Sequence, residues 1–338
     1  MEKRKLMALG QSSLVIALPK QWRDKNDLNR GDYVSLTEQT DGSLNIYPGT
    51  EVKKERKIIL SFSMEEEGNS ITRHIISCYL NGYTAIQLLS KNVFTIEQHS
   101  AIRRVVKILY MRIMESNSRK ILINTMLDES MGSLKSGIER MNLITSSMCS
   151  DILTSIKNWD KDIAMSIISL EDDVDQFAFL LLRLIRLASQ DSALARDLEI
   201  GTIDCLDCQT LVHKIERVAD HITNIAERIV ILFDNKIHQP KDIYNIMTEM
   251  AEIAFDSYNR ATNAFLSKNV DETNEIIDNQ IKVEKLREEL TPLIYGKKSE
   301  NTLFTCNLCA IIERIDRISE YAADIAELAI DRVYNLKS

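Results

Sequence analysis

Apolar and polar positions follow three successive rhythms along the chain. Up to about residue 50, apolar residues come in short alternating runs punctuated by Gly and Pro. Residues 5–9 and 13–18 read as short strands around Gly10, and Pro19-Lys20 opens a short helix over 21–25. Asn29-Arg30-Gly31-Asp32 reads as a turn, and 33–38 and 43–47 as strands around the hairpin signal Asp41-Gly42, closed by Pro48-Gly49. A hairpin unit of this size buries little apolar surface alone, so it is expected to be shared between two chains.

From 51 to 128 the period switches back and forth. Strands are predicted at 57–63, 85–89 and 120–125, and helices at 70–80, ended by Asn81-Gly82, and at 96–114. Thr95 and Gln98 have the spacing of a capping box. This β-α-β-α-β order suggests a small sheet with helices packed on it. From 129 onward the helical period persists, with six helices predicted near 130–157, 160–190, 200–236, 240–268, 270–291 and 300–336. The breakers are Asn158-Trp159-Asp160, Gly201, Gln239-Pro240, Pro292 and Gly296. The fold class is therefore mainly α with a small β module at the N-terminus.

The break at Pro240 divides the helices into two sets of three. Their third helices align at an offset of 100 residues, IERVADHITNIAERI (215–229) over IDRISEYAADIAELA (315–329). The second helices align less cleanly, LEDDVDQF (170–177) over NQIKVEKL (279–286). An internal duplication follows.

Composition narrows the class. With 338 residues, 27% charged and 44% hydrophobic, the chain reads as a soluble protein of two or three domains. Only 4 Pro and 10 Gly favour long helices over a chain rich in turns. The longest apolar run, FAFLLL at 177–182, is far too short to span a membrane. The apolar stretch in the first eighteen residues is interrupted by Gly10, Gln11, Ser12 and Ser13, without a small-residue cleavage site before Pro19. The expectation is a cytoplasmic protein with its six cysteines as thiols.

The net charge of −8 excludes a protein that coats nucleic acid over its whole surface. Residues 1–31, however, hold seven basic residues (Lys3, Arg4, Lys5, Lys20, Arg23, Lys25, Arg30) against three acids (Glu2, Asp24, Asp27), a balance of 7 − 3 = +4. Such a basic end on an acidic chain is expected when one end alone meets phosphates.

In the helical part, acids four apart recur, Glu171 with Asp175 and Glu216 with Asp220, so each pair shares a helix face. Two such pairs on neighbouring helices would gather four carboxylates, an all-oxygen set suited to hard or borderline cations. A solvated acidic face is the other reading of the same spacing. Two C-x-x-C pairs, Cys205/Cys208 and Cys306/Cys309, would form a zinc site only if the helix starts that carry them met. Buried thiols are the alternative. His221 follows Asp220 and is a ligand candidate or a satisfied helix residue. There is no G-x-x-x-x-G-K-[ST], H-E-x-x-H or G-x-S-x-G, and no nucleophile-base pairing is evident.

The E-R-V-A-D-H-I-T-N-I-A-E run at 216–227 and its duplicated helix resemble the signature helix of PhoU phosphate-uptake regulators. The resemblance covers 129–338 and implies two pseudo-symmetric three-helix bundles with one acid-held metal cluster in each. Carried over, Glu171, Asp175, Glu216 and Asp220 form the cluster of the first bundle. The second departs from the pattern, with Gln280/Glu284 and Asp316/Glu320 at the matching positions and Asp278 off them. Asp278, Glu284, Asp316 and Glu320 therefore make a weaker second site. The implied cofactors are iron, zinc, manganese or magnesium ions.

Gly10, Leu18-Pro19-Lys20, Gly31-Asp32 and Asp41-Gly42 stand in the order of an AbrB/SpoVT/MazE-type swapped-hairpin DNA-binding domain. The combination is similar to archaeal PhoU-like proteins in which both modules are fused, with 51–128 as an α/β connector. The resemblance implies a homodimer that binds DNA, with Lys3, Arg4, Lys5, Lys20, Arg23 and Arg30 facing phosphates. The expected function is a non-catalytic transcriptional regulator of phosphate uptake whose helical body senses metal or meets a phosphate-transporter ATPase or a regulatory kinase. The alternatives are an interaction regulator whose head only dimerises, and a metal-dependent enzyme. The enzyme reading is disfavoured because the Glu-x-x-His motifs of di-metal bundles are absent.

Overall fold

The computed structural model describes residues 3–10, 13–38, 42–49, 56–126, 133–236, 241–296 and 302–334. Two compact units divide the chain near residue 55.

In the first unit, β1 (Met7–Leu9) pairs antiparallel with β2 (Ser13–Val15), and β3 (Val34–Glu38) with β4 (Leu44–Pro48). Between the two ribbons lies α1 (Lys20–Lys25). Gly10 (φ 72°) and Gly42 (φ 75°) adopt the left-handed conformation that glycine tolerates best; Asp41 of the predicted turn lies outside the described residues. No described residue of this unit is buried. Leu6, Met7, Leu9, Leu14, Ile16, Leu36 and Leu44 are all about half exposed or more. Two-stranded ribbons without a core are at best marginal by themselves.

The second unit begins with a four-stranded sheet in the order β5-β6-β8-β7. Its strands are β5 (Lys57–Phe62), β6 (Ala85–Ser90), β7 (Met111–Ser116) and β8 (Lys120–Thr125). The β5/β6 pair is parallel and the others antiparallel. The helices α2 (Gly68–Leu80) and α3 (Ile96–Ile108) bury Ile71, Ile75, Ile102 and Val105 against Phe62, Ile86, Leu88, Ile121 and Ile123. The predicted capping box opens α3: Gln98 N donates to Thr95 Oγ1 (3.1 Å) and Thr95 N to Gln98 Oε1 (3.0 Å). The sequence predicted a single helix over 96–114, but α3 stops at Ile108 and β7 follows. Tyr110 takes a left-handed conformation (φ 51°) with no glycine to announce the turn. Its antiparallel partner β8 begins four residues after β7 ends, a hairpin pairing that the helical spacing of 96–114 did not disclose.

The helical body comprises α4 (Leu134–Asn158), α5 (Lys161–Ile168), α6 (Glu171–Ala188), α7 (Ser192–Asp197) and α8 (Thr202–Asp234), then α9 (Lys241–Ser267), α10 (Thr273–Gly296) and α11 (Thr302–Tyr334). Two of the predicted boundaries are corrected. The helix expected over 160–190 is broken at Ser169–Leu170 into α5 and α6, and a short α7 follows, capped by Asp191 Oδ1 accepting from Ala193 N (2.9 Å). Pro292, expected as a breaker, lies inside α10, which runs on to Gly296. Proline there forfeits one intrahelical donor in the last turns, which a packed helix tolerates. The Gln239-Pro240 breaker lies outside the described residues, and α9 starts at Lys241.

Buried positions make the duplication concrete. Ile167, Val174, Leu181 and Ile185 of α5–α6 match Ile276, Val283, Leu290 and Ile294 of α10 at an offset of 109. Leu211, Ile215, Val218, Ile225 and Ala226 of α8 match Ile311, Ile315, Ile318, Ile325 and Ala326 of α11 at 100. The difference, 109 − 100 = 9, falls where α7 is inserted in the first repeat. Across the repeat, α8 and α11 run antiparallel. Lys214 pairs with Asp324, and Arg314 Nε donates to Asn224 Oδ1 (3.4 Å), reciprocal contacts of one pseudo-two-fold arrangement. His221 and Tyr321, equivalent in the repeat, stack on each other at 5.5 Å and 9°.

The sheet module meets the helical body at α6. Arg183 is completely buried. Its Nη1 donates to the carbonyls of Tyr79 and Tyr83 (3.2 Å to the latter), and its guanidinium lies 4.8 Å from the centre of the Tyr79 ring. These carbonyls lie at and just beyond the C-terminus of α2, the negative end of a helix dipole. Gly82 (φ 86°) keeps this turn close to α6: a Cβ there would lie 2.5 Å from Leu187 Cδ2.

Candidate functional sites

The acidic cluster is assembled by α6 and α8. The break at Leu170 starts α6 so that Glu171 and Asp175 lie one turn apart on its first two turns, and Glu216 and Asp220 lie one turn apart in the middle of α8. Asp175, Glu216 and Asp220 each place one carboxylate oxygen within 4.8 Å of the others, and all three are half-buried. Glu171 stands outside this trio, but it shares the local field. Burial, then Asp175, Asp220 and Glu227, push its carboxyl up to about 7. Burial, then Asp220 and Glu216, push Asp175 up to about 7 as well. Glu216 and Asp220 are also raised by burial, and Arg217, 3.2 Å from Asp220 and 3.6 Å from Glu216, draws both back down.

Glu227 was missed from sequence. It sits eleven residues after Glu216, three turns on along the same face of α8, and the I-A-E run repeated in both halves was its signal. Burial and the guanidinium groups of Arg314, Arg217 and Arg317 hold His221 down to about 4. Its ring is committed to the Tyr321 stack, and it is not part of the trio.

The residues present suit a cation. Three carboxylates converge, Arg217 relieves their mutual repulsion only in part, and their oxygens match the preferences of Mg²⁺, Mn²⁺ or iron.

The weaker second set is not brought together in this way. Asp316 is buried and bonded to Arg287 (2.7 Å), Glu284 lies 3.6 Å from the same guanidinium, and Glu320 pairs with Arg317 (2.6 Å). Asp278 is exposed, and among the described residues no group of three donors forms in the second bundle. The two C-x-x-C pairs do not meet. Because α8 and α11 are antiparallel, Asp204 lies beside Arg332 and Asn307 beside Arg228. The cysteine pairs thus sit at opposite ends of the helix pair, about 30 Å apart at 1.5 Å per residue. Cys205 and Cys208 are buried, with thiols pushed up by burial.

In the head, Lys3, Arg4, Lys5, Lys20, Arg23 and Arg30 are all exposed. Lys20 opens α1 and Arg23 lies in its last turn. No helix among the described residues is long and apolar enough to cross a membrane.

Comparisons with known proteins follow the same division. The profile of the PhoU domain matches residues 138–229 and 247–329, 92 + 83 = 175 of the 338 residues. A profile described as antidote-toxin recognition MazE, bacterial antitoxin, matches residues 8–57. The chain is 24% identical over 205 residues to a phosphate-specific transport system accessory protein PhoU homolog from Zymomonas mobilis, covering 60% of this chain and 84% of that protein. The crystal structure of the phosphate transport system regulatory protein PhoU from Streptococcus pneumoniae shares its fold at a TM-score of 0.50 and 18% identity. That match covers 61% of this chain and 95% of the other.

Proposed function

The chain belongs to the PhoU family, and from that premise we propose that it is a non-catalytic, cytoplasmic regulator of phosphate uptake that acts on DNA as a homodimer and senses metal through its helical body. The observation that carries this reading is the joining of two PhoU repeats to a MazE-like module in one chain.

The apolar surface of the head supports the dimer. Leu9, Leu14 and Leu36 stand open on ribbons with no core, and a second copy supplies the missing layer. Pairing doubles the local +4 charge about a two-fold axis, which suits a pseudo-palindromic site. Lys3, Arg4, Lys5, Lys20, Arg23 and Arg30 position phosphates, while sequence is read by base-edge contacts. In the first bundle, Asp175, Glu216 and Asp220, with Glu171 adjacent, hold the ion. When bound, the ion supplies positive charge that removes the repulsion among these acids. Magnesium, manganese or iron fits the oxygen donors better than zinc.

The test is binding of the purified protein to fragmented host genomic DNA as salt is raised, with and without chelator. Enrichment of a few promoter fragments that survives moderate salt supports a sequence-specific regulator. A chelator effect ties the acidic cluster to the head. Uniform retention of all fragments overturns the DNA reading. In that case the head only dimerises, and the body meets a phosphate-transporter ATPase or a signalling kinase. Neutralising Arg4, Lys5, Lys20 and Arg23 separates the two: function is lost under the first reading and kept under the second.

A further inference from the structure

The two repeats differ at one position that decides what their acids can hold. At the 109-residue offset that superposes α6 on α10, Arg287 corresponds to Ala178, which is buried and uncharged. Arg287 turns its guanidinium onto the acids of its own bundle, 2.7 Å from Asp316 Oδ2 and 3.6 Å from Glu284 Oε1. Asp316 is the repeat equivalent of Glu216, and Glu284 that of Asp175. The charge count follows. At the matched positions the first bundle sets Glu171, Asp175, Glu216, Asp220 and Glu227 against Arg217, 5 − 1 = 4 negative charges in excess. The matching second set has Gln280, Glu284, Asp316, Glu320 and Glu327 against Arg287 and Arg317, 4 − 2 = 2. Both arginines of the second set are engaged with its acids.

We propose that Arg287 is a built-in cation that takes the place of a metal ion in the second bundle, so that metal loading is confined to the first. Arg287 Nη1 donates to the buried Asp316 carboxylate while Nη2 faces Glu284, so one guanidinium meets a hydrogen-bonding demand as well as the charge. An incoming ion would have to displace a group tethered at high local concentration. Asp316 itself keeps only 5% of its surface exposed, so it offers little free surface to an ion from solvent. The family pattern implied one cluster per bundle; this chain's residues fit one cluster and one internal ion pair.

This inference rests on the metal reading of the first bundle, and its test keeps the two apart. Full-length chains carrying Asp175→Asn with Asp220→Asn, Arg287→Ala, or all three changes are stripped with chelator and titrated with Mn²⁺. Retained metal and melting temperature are both followed. The first pair of changes should abolish bound Mn²⁺. Arg287→Ala should lower the melting temperature in chelator, because Asp316 is then buried without its partner. In the triple variant, where the first site is gone, that loss should recover with Mn²⁺ and about one ion per chain should return. Mn²⁺ retained by Asp175→Asn/Asp220→Asn and lost on adding Asp316→Asn would overturn the inference, as would a triple variant that takes up no Mn²⁺ and whose melting ignores it. A wild-type chain that takes up no Mn²⁺ while Arg287→Ala does would uphold the role of Arg287 and sink the metal reading of the first bundle instead.

Discussion

Replacing Arg183 with methionine removes a buried guanidinium that ties α6 to the sheet module. Its partners include the backbone carbonyls of Tyr79 and Tyr83 and the face of the Tyr79 ring. Hydrogen bonds from a charged donor contribute about 1.5–3 kcal/mol each, and a desolvated cation–π contact about 2 kcal/mol. Against this gross loss stands the relief of an arginine desolvation that costs several kcal/mol. Methionine also keeps the aliphatic stem and its packing. Gly82 N still donates to the Tyr79 carbonyl (3.0 Å), so one of the two acceptors keeps a partner. The net cost is about 2–4 kcal/mol, set mainly by the stranded Tyr83 carbonyl and the lost dipole contact. In a large unit each kcal/mol lowers the melting temperature by about 2–4 °C. Thermal unfolding followed by circular dichroism should therefore show a fall on the order of 10 °C. Arg186→Met, one turn on and exposed, should change stability by less than about 0.5 kcal/mol. If Arg183→Met melted within about 2 °C of the wild type, the argument that this arginine fastens the sheet module to α6 would be refuted.

A pH prediction follows from the acidic cluster. In the metal-free protein Glu171 and Asp175 are pushed up to about 7, above the value of about 4 they have in an unfolded chain. The folded state then holds more protons between those values, so their contribution favours folding at low pH and fades as pH rises from about 4 through about 7. With chelator present, Asp175→Asn should therefore gain in melting temperature over the wild type at pH 8 and not at pH 4.5. Equal differences at both pH values would contradict the assigned repulsion. Gly82→Ala is expected to cost roughly 2 kcal/mol, since alanine is strained at a left-handed φ and its Cβ meets Leu187. Urea denaturation measures it, and a loss below about 0.5 kcal/mol would mean that the turn yields easily.

The pattern of the chain disclosed those features that are local or repeated. The Thr95–Gln98 box formed as spaced because both partners lie in one turn. The third helices aligned because α8 and α11 bury the same positions. Features that the helical spacing itself does not encode stayed hidden. Strand β7 continues the apolar spacing of α3 and becomes a strand only because β8 pairs with it. The split between α5 and α6 has no Gly or Pro: Ser169 and Leu170 keep right-handed backbone conformations at the break. For the site, E-x-x-x-D spacing marked the acids, yet it could not tell that Glu171 would stand outside the trio or that Glu227 would join the field. Nor did spacing reveal Arg287, which is three residues from Glu284 on α10 but reaches Asp316 on another helix.

The position of α6 gives the asymmetry between the repeats a mechanical meaning. Its N-terminal turns carry Glu171 and Asp175, and its later turns carry Arg183, completely buried beneath the sheet module. Asp175 and Arg183 are eight residues apart, about 12 Å along one continuous helix. A packed helix transmits a shift over that distance as a rigid body rather than absorbing it. Any change in charge balance at the first cluster thus acts on the helix that holds α2 by its C-terminal carbonyls. Among the corresponding acids of the second repeat, Asp316 and Glu320 are already paired with Arg287 and Arg317, so a cation has less left to change there. The duplication has diverged so that one copy keeps an unbalanced acidic site on the helix joined to the sheet module. The other carries internal ion pairs at the matching positions, Arg287 with Asp316 and Arg317 with Glu320.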